Sequence, residues 1–320
     1  MIQNGILNIN KPQNMTSHDV VAIARRALGI KKIGHTGTLD PMATGVLPIC
    51  IGRSTRIIEY LDMDIKKYRC TMILGIQTDT QDIWGEVLER CDVNVTEAEV
   101  RKAFAAFDGV IDQKPPMYSA LKVNGRKLYE YAREGKEVEV KSRKIFIKSL
   151  DIEHIDLEGD EKTVTFTVEC SKGTYIRTIC QDAGRAMGCF GTLASLDRVE
   201  SGIFSLETAI TIEELKTMDE AWLSAHLIDT DQPLHNFGKV VVSKDVGEKF
   251  IMGWKLPLYL CEVQKEPRYA SEDFYLPMRD EFKRAYNVYG LYDGGETFLG
   301  VAFYDEKYKK LVADKVFYVR

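Results

Sequence analysis

The sequence has few of the features that mark membrane, secreted or metal-binding proteins. It contains no run of about 18 apolar residues, the length that a membrane-spanning helix needs. Residues 1–12 lack the basic start and long apolar stretch of a signal peptide, so we expect no secretory leader. The seven cysteines are odd in number and never spaced as Cys-x-x-Cys, which argues against a disulfide framework or a zinc site. We therefore expect a cytoplasmic protein with reduced thiols.

The bulk composition is that of an ordinary globular protein. Apolar residues make up 45% of the 320 residues and charged residues 28%, so the chain is long enough for two domains with their own cores. The net charge of −5 argues weakly against a nucleic-acid partner. The charge is uneven, however, at +4 over residues 1–60, +6 over residues 113–148 and −5 over residues 205–320. Positive charge is concentrated in the first half of the chain.

The most unusual stretch is residues 33–48, which holds three glycines and two prolines among apolar residues. That punctuation breaks ordinary helices and strands, yet the apolar side chains need burial. A glycine-rich, partly apolar loop is usually held in one shape for a purpose. His35 and Asp40 lie inside it. Taken alone, Asp40 before Pro41 is an ordinary turn signal.

Periodicity, capping and turn signals predict the elements around this loop. Six helices are predicted: the first begins at a Ser17 cap and ends at Gly29, and the second covers 54–62. The third runs from a Thr96–Glu99 capping box to Phe107, and the fourth ends near Glu134. The fifth follows Tyr175, and the sixth starts at a Thr211–Glu214 capping box. The predicted strands are 6–10, 46–51, 68–74, 84–88 and 162–170. Strand 84–88 is predicted to return from strand 68–74. From Phe237 onward, short alternating segments with glycine and proline turns predict a small β-rich second domain.

Five short motifs follow one another in the first two thirds of the chain. They are Asn10-Lys11-Pro12 with Thr16-Ser17, the run 34–41, Lys67-Tyr68-Arg69, the run 115–122, and the run 171–178. In this order they resemble the motifs of the bacterial, stand-alone TruB-type tRNA pseudouridine synthases. The resemblance covers residues 1 to about 205, and none of the motifs is a generic turn or cap. The remaining part resembles only loosely the PUA-like domains of bacterial members.

The resemblance implies a fold, a domain plan and an activity. The fold is α+β, with a mixed, largely antiparallel sheet flanked by helices and Asp40 in a central cleft. Residues 1–235 would form the catalytic domain, with 113–148 as a basic, RNA-clamping insertion, and residues 236–320 a PUA-like C-terminal domain. The activity is isomerisation of uridine to pseudouridine at position 55, in the T-loop of tRNA, without metal or cofactor.

The resemblance also assigns catalytic roles. Asp40 would be the essential nucleophile, since a carboxylate can attack covalently without a metal. It must stay ionised in a site that excludes water, and a nearby guanidinium favours the charged form; Arg177 would supply it. Tyr68 would stack on the target uracil and take part in proton transfer. Whether Asp40 attacks the sugar, attacks the base or assists an elimination is left open.

Further residues match substrate-binding positions of the family. A base inside a folded loop must be flipped out at a cost of about a few kcal/mol, and His35 would push into the RNA near the vacated position. Tyr175 and Leu196 would line the base pocket. Arg56 stands where lysine is common and would meet a phosphate. Lys11 would have a more structural role.

Two departures from the family pattern are visible. Asn14 replaces a common glycine, a small change because asparagine tolerates a left-handed backbone. Residues 188–198 differ from the family's usual run and lack its paired arginines, which leaves the RNA contacts of this region open.

Three other functions fit parts of the sequence. A tRNA-binding or folding chaperone without catalysis is disfavoured by the intact Asp40, Tyr68 and Arg177. A guide-dependent pseudouridine synthase is disfavoured by the basic segment 113–148, which suits an enzyme that holds its own substrate. A glycoside hydrolase needs two acids flanking the bond, and the sequence offers one. We therefore expect a monomer that acts on the tRNA T stem-loop with no obligatory protein partner and no membrane.

Overall fold

The computed structural model describes residues 4–61, 64–268 and 287–317. Within these ranges, most strands belong to a nine-stranded sheet and a six-stranded sheet, and two further pairs form small separate ribbons. No helix in the described ranges has the length and apolar character needed to cross a bilayer. The mixed sheet flanked by helices and the β-rich C-terminal region confirm the predicted fold class.

Helices and strands are interspersed along the chain up to Ile251, and the described part after it is mainly strand. The strands up to residue 205 are β1 (Gly5–Lys11), β2 (Ile33–His35), β3 (Thr44–Ile51), β4 (Lys66–Leu74), β5 (Ile76–Thr78), β6 (Val87–Arg90), β7 (Gly109–Gln113), β8 (Lys122–Val123), β9 (Arg126–Lys127), β10 (Arg143–Asp156), β11 (Thr163–Cys170), β12 (Gly191–Ser201) and β13 (Phe204–Ser205). The later strands are β14 (Gly238–Val242), β15 (Leu256–Pro257), β16 (Glu262–Lys265), β17 (Val288–Asp293), β18 (Phe298–Asp305) and β19 (Lys310–Val316). The α-helices are α1 (Ser17–Leu28), α2 (Ile58–Leu61), α3 (Glu97–Phe104), α4 (Leu128–Arg133), α5 (Ile176–Ala186), α6 (Ile212–Thr217), α7 (Glu220–His226) and α8 (Lys244–Ile251).

The nine-stranded sheet runs β1-β3-β12-β4-β11-β10-β7, with β2 on β3 and β13 on β12. Among its described pairings, β3 with β12 is parallel and the others are antiparallel. The parallel contact brings Gly45 against Arg198, where a Cβ on Gly45 would lie 2.3 Å from the Arg198 carbonyl oxygen. Gly45 also has φ +102, so this position requires glycine.

The core of this sheet follows the apolar alternation of its strands. In β11, alternate residues from Val164 to Cys170 are fully buried, as predicted for a half-buried strand. Phe104 of α3 packs on Phe166 with ring centroids 5.0 Å apart.

The six-stranded sheet runs β15-β19-β18-β17-β14-β16. Its strands contribute to a hydrophobic cluster that also contains residues of the first sheet, such as Ile6 and Val46 with Val288 and Val301. The division of the chain into domains at 235/236 stays a prediction.

Several local predictions are wrong. Thr16, not Ser17, caps α1, because its side chain accepts from the Asp19 backbone amide. No strand at 84–88 returns along β4; instead β6 pairs with β5 in a separate ribbon. The apolar pattern there misled because Trp84 and Leu88 are exposed. Helix α3 ends at Phe104 rather than Phe107.

The basic segment 113–148 is not wholly an insertion. Gln113 ends β7 and residues 143–148 belong to β10, where Ile145 and Ile147 are buried in the core. Charge counting alone does not reveal that strand, because Arg143, Lys144 and Lys148 flank the buried residues 145–147. Only residues 114–142 lie outside the large sheet.

Candidate active site

The loop between β2 and β3, residues 36–43, is fastened by residues at the start of α1. Ser17 donates its hydroxyl to the Leu39 carbonyl at 3.2 Å and accepts from the Leu39 amide at 2.9 Å. The Asn14 amide donates to the Pro41 carbonyl at 3.0 Å, with Asn14 at φ +67 as its residue type predicts. The loop is therefore held in one shape, as its composition suggests.

Lys11 also stabilises this loop. It is fully buried, and its Nζ donates to the carbonyls of Pro12 at 2.8 Å, Met15 at 2.7 Å and Pro41 at 3.5 Å. Burial lowers the pKa of Lys11 to about 8, and the negative charge of Asp40 partly opposes that shift. Its contacts with backbone carbonyls fit the structural role that the sequence suggests.

Asp40 meets Arg177 in an ion pair with Nη2 and Oδ2 2.9 Å apart. The Arg177 side chain is 5% exposed, whereas 38% of the Asp40 side chain is exposed. Arg177 also donates from Nη1 to the Thr80 carbonyl at 3.0 Å and from Nη2 to the Tyr118 carbonyl at 2.9 Å. Asp82 lies 3.7 Å from Nη1. The guanidinium is thus fixed on three sides, and the carboxylate keeps an exposed face.

Helix α5 presents Arg177 because its apolar residues lie on another face. Ile176, Ile179 and Ala183 are buried in the core. On the arginine side, Gln181 accepts a hydrogen bond at 2.9 Å from the Gln81 side-chain amide. This contact ties the loop that carries Thr80 and Asp82 to the helix.

Asp82 is a site residue that the sequence did not single out. Its side chain is 10% exposed, and burial raises its pKa, opposed by the Thr80 hydroxyl and the charge of Arg177. It lies in the loop between β5 and β6, and no motif marks it.

A cleft of about 260 Å³ opens beside the ion pair. Besides Asp40 and Arg177 it is lined by Gly37, Thr38, Leu39, Lys66, Tyr68, Ser119, Ala120, Leu121, Ser171, Lys172, Gly173, Thr174, Tyr175, Ile176, Leu196 and Arg198. Thus the structure brings together five of the predicted residues: Asp40, Tyr68, Tyr175, Arg177 and Leu196.

The floor of the cleft is formed by neighbouring strands β4 and β12. Tyr68 pairs with Arg198 and Cys70 with Leu196 across this antiparallel ladder, so these side chains share one face. Burial raises the pKa of Tyr68 to about 12, although the Arg198 charge acts in the opposite sense. Burial therefore disfavours the ionised form of the Tyr68 hydroxyl.

Arg198 is a second site residue that sequence reasoning missed. It is 1% exposed, and its Nε donates to the Val46 carbonyl at 2.6 Å. It lies two residues after Leu196, and residues two apart in a strand share a face. That spacing was the available signal, but the run 188–198 departs from the family pattern, so no motif supported it.

His35 and Arg56 line a neighbouring groove, whose wall shares Gly37 and Thr38 with the cleft. The His35 Nε2 lies 3.2 Å from Nδ1 of His18. The Arg56 Nη1 donates to the backbone carbonyl of residue 316 at 2.6 Å. Both residues are therefore beside the cleft rather than in it.

Metal ligands are not grouped at this site or elsewhere in the described ranges, where no three His, Cys, Asp or Glu side chains are placed to hold an ion. The groups that line the cleft are suited to hydrogen bonding, charge stabilisation and stacking.

Comparison with known proteins places the chain in a family. Residues 25–176 match the TruB family pseudouridylate synthase N-terminal domain, and residues 177–235 match the tRNA pseudouridylate synthase B C-terminal domain. The tRNA pseudouridine synthase B of Alkaliphilus oremlandii is 47% identical over 82% of this chain and 87% of its own length. That of Clostridium perfringens is 44% identical over 96% of this chain and 97% of its own.

Solved structures share the fold. The match in an H/ACA RNP bound to a substrate RNA containing 2′-deoxyuridine has a TM-score of 0.71 at 21% identity, covering 99% of this chain and 86% of that one. A Cbf5-Nop10-Gar1 complex gives a TM-score of 0.72 at 22% identity, covering 98% and 84%. From the domain matches and the close curated relatives, this chain belongs to the TruB family of tRNA pseudouridylate synthases.

Proposed function

We propose that this chain converts uridine to pseudouridine at position 55 in the T-loop of tRNA, by base flipping and with Asp40 as nucleophile. It acts as a stand-alone enzyme, without metal or cofactor. The observation that supports this most is the 2.9 Å ion pair between Asp40 and Arg177 in a cleft that also contains Tyr68. Relatives at 44–47% identity are named tRNA pseudouridine synthase B, which supports tRNA as the substrate.

The size of the cleft suits one flipped base. Its volume of about 260 Å³ lies just below the roughly 300–1,000 Å³ of sites for drug-sized ligands. The target base leaves its stack at a cost of about a few kcal/mol. The rings of Tyr68 and Tyr175 line the cleft, and stacking on an aromatic ring contributes about 1–3 kcal/mol per base. This stacking offsets the cost of flipping.

The reaction needs a charged carboxylate beside the sugar–base bond. The N1–C1′ bond breaks and a C5–C1′ bond forms, while C5 loses a proton and N1 gains one, so atoms balance without a co-reactant. Arg177 holds Asp40 in one orientation because carbonyls of Thr80 and Tyr118 fix the guanidinium. A preorganised charge of this kind needs little rearrangement during the reaction.

The segment 114–142 clamps the RNA in this proposal. Some of its cations have intramolecular partners, since Arg126 pairs with Glu134 at 2.5 Å and its guanidinium lies 4.7 Å from the Tyr131 ring centre. Lys114 and Lys122 are exposed on the same segment. We assign phosphate contact to such exposed lysines, which makes binding dependent on salt.

Tritium release tests the activity directly. The purified chain alone is incubated with tRNA transcript that carries 5-tritiated uridine, and release of tritium is expected because C5 loses its hydrogen. A tRNA chaperone binds the transcript without release. A guide-dependent synthase releases tritium only when guide RNA is added, and this result would contradict the stand-alone assignment.

A further inference from the structure

Ser119 lies at the start of the segment 114–142 and lines the cleft with Asp40 and Arg177. It is 5% exposed, and its hydroxyl is buried without a hydrogen-bond partner in the described part of the chain. Its backbone is held in place, because its carbonyl accepts from the Tyr129 amide at 3.1 Å. Native folds rarely bury a hydroxyl unpaired, since the loss of its water contacts is not compensated.

Three other buried serines have partners within the chain. Ser54 accepts from the Gly5 amide at 2.9 Å, and Ser171 accepts from the Phe146 amide at 2.9 Å. Ser17 is bonded to the loop that carries Asp40. Ser119 differs from these three serines because it lines the cleft with its hydroxyl unpaired, which indicates a partner that enters with the substrate.

Arg198 provides a second donor of this kind. Its Nη2 is buried without a hydrogen-bond partner among the described residues, although its Nε is bonded to a backbone carbonyl. Arg198 and Ser119 line the same cleft. A ligand that satisfies both donors must carry at least two hydrogen-bond acceptors. Uracil has two carbonyl oxygens, whereas cytosine has an amino group, a donor, in place of O4.

We propose that the Ser119 hydroxyl donates a hydrogen bond to a carbonyl oxygen of the flipped uracil. This inference rests on the proposed function. The neighbouring Tyr118 carbonyl holds Arg177 at 2.9 Å. One short segment thereby positions the catalytic ion pair and contacts the base.

The first test compares Ser119→Ala with Ser54→Ala. Ser119→Ala is expected to lower kcat/KM for a T stem-loop RNA about tenfold, because one hydrogen bond to substrate is lost. Its melting temperature stays equal or rises, since an unpaired buried hydroxyl is removed. Ser54→Ala is expected to lower the melting temperature and leave kcat/KM unchanged. Wild-type kcat/KM in Ser119→Ala would overturn the proposal.

The second test identifies the atom contacted. Stem-loop RNAs carry 2-thiouridine or 4-thiouridine at the target position, because sulfur accepts hydrogen bonds more weakly than oxygen. In the wild type, one analogue should lower kcat/KM, and the same analogue should cause little further loss in Ser119→Ala. Equal losses in both proteins for both analogues would overturn the base contact. Failure of the wild type to form pseudouridine in any RNA would instead overturn the proposed function.

Discussion

The two walls of the cleft are built differently. Tyr68, Leu196 and Arg198 lie on β4 and β12, which pair with strands on both sides. A second wall, residues 119–121, lies outside the large sheet, and the carbonyl of the preceding residue, Tyr118, accepts from Arg177. Strands at the centre of a sheet hold side chains accurately, whereas a segment outside it can adjust to a ligand. Changes in the sheet wall should therefore affect chemistry, and changes in the outer segment should affect binding.

The largest effect is expected from Asp40→Asn. Removing the proposed nucleophile should lower turnover by about 10⁴-fold or more, while tRNA affinity stays within a few-fold of the wild type because the carboxylate is not needed to hold phosphate. Single-turnover kinetics and filter binding measure the two separately. Retention of more than a small fraction of activity would show that another group is the nucleophile.

Arg177→Ala comes next. Removing the guanidinium takes away the charge that orients Asp40, and the loss of one preorganised group of this kind lowers kcat by about 10²-fold. The kcat of Arg177→Lys should lie between those of the wild type and Arg177→Ala, since an ammonium keeps the charge but not the forked geometry. The matched control is Arg185→Ala, on the exposed side of the same helix. Wild-type turnover in Arg177→Ala across neutral pH would refute the pairing.

Neutralising the outer segment should change binding rather than chemistry. The double variant Lys114→Gln with Lys122→Gln removes two of the proposed phosphate contacts. The slope of log affinity against log salt should fall by about 1.4–1.8, and kcat at saturating RNA should stay near the wild-type value. Lys102→Gln with Lys216→Gln, on helices α3 and α6, is the control with the same change in net charge. An unchanged slope would place the RNA elsewhere.

The last effect is on stability rather than on activity, and it concerns the dryness of the interior around the large sheet. Burial raises the pKa of the thiols of Cys50, Cys70, Cys170 and Cys180, that of Cys170 to about 12. Above pH 9 the unfolded thiols lose protons that the folded ones keep, so the free energy of unfolding falls as pH rises, by up to about 1.4 kcal/mol per pH unit for each thiol. Lys11, with its pKa lowered to about 8, contributes in the opposite direction between pH 8 and 10.5.

Urea unfolding between pH 7.5 and 10 measures this dependence. Cys180→Ala should reduce the decrease of the unfolding free energy with pH by the contribution of one thiol. Cys91→Ala should leave that decrease unchanged because the Cys91 thiol is exposed. Equal slopes in the two variants would show that the interior thiols ionise in the folded state.

The sequence was informative where local chemistry decides the structure. The structure confirms the helix predicted from Thr96 and Glu99 and the strand predicted from the alternation between Thr163 and Cys170. The meeting of Asp40 with Arg177, 137 positions apart in the sequence, followed from the family motifs and not from periodicity. Arg198 and Asp82 escaped because their burial depends on which strand or loop lies beside them, and that is a property of tertiary packing.

The sharpest test of Asp40 as the nucleophile is pseudouridine mapping of unmodified tRNA treated with the purified wild-type chain and, in parallel, with Asp40→Asn. We expect pseudouridine at position 55 alone with the wild type, and none with the variant. Modification at other positions, or equal modification by both proteins, would contradict this expectation.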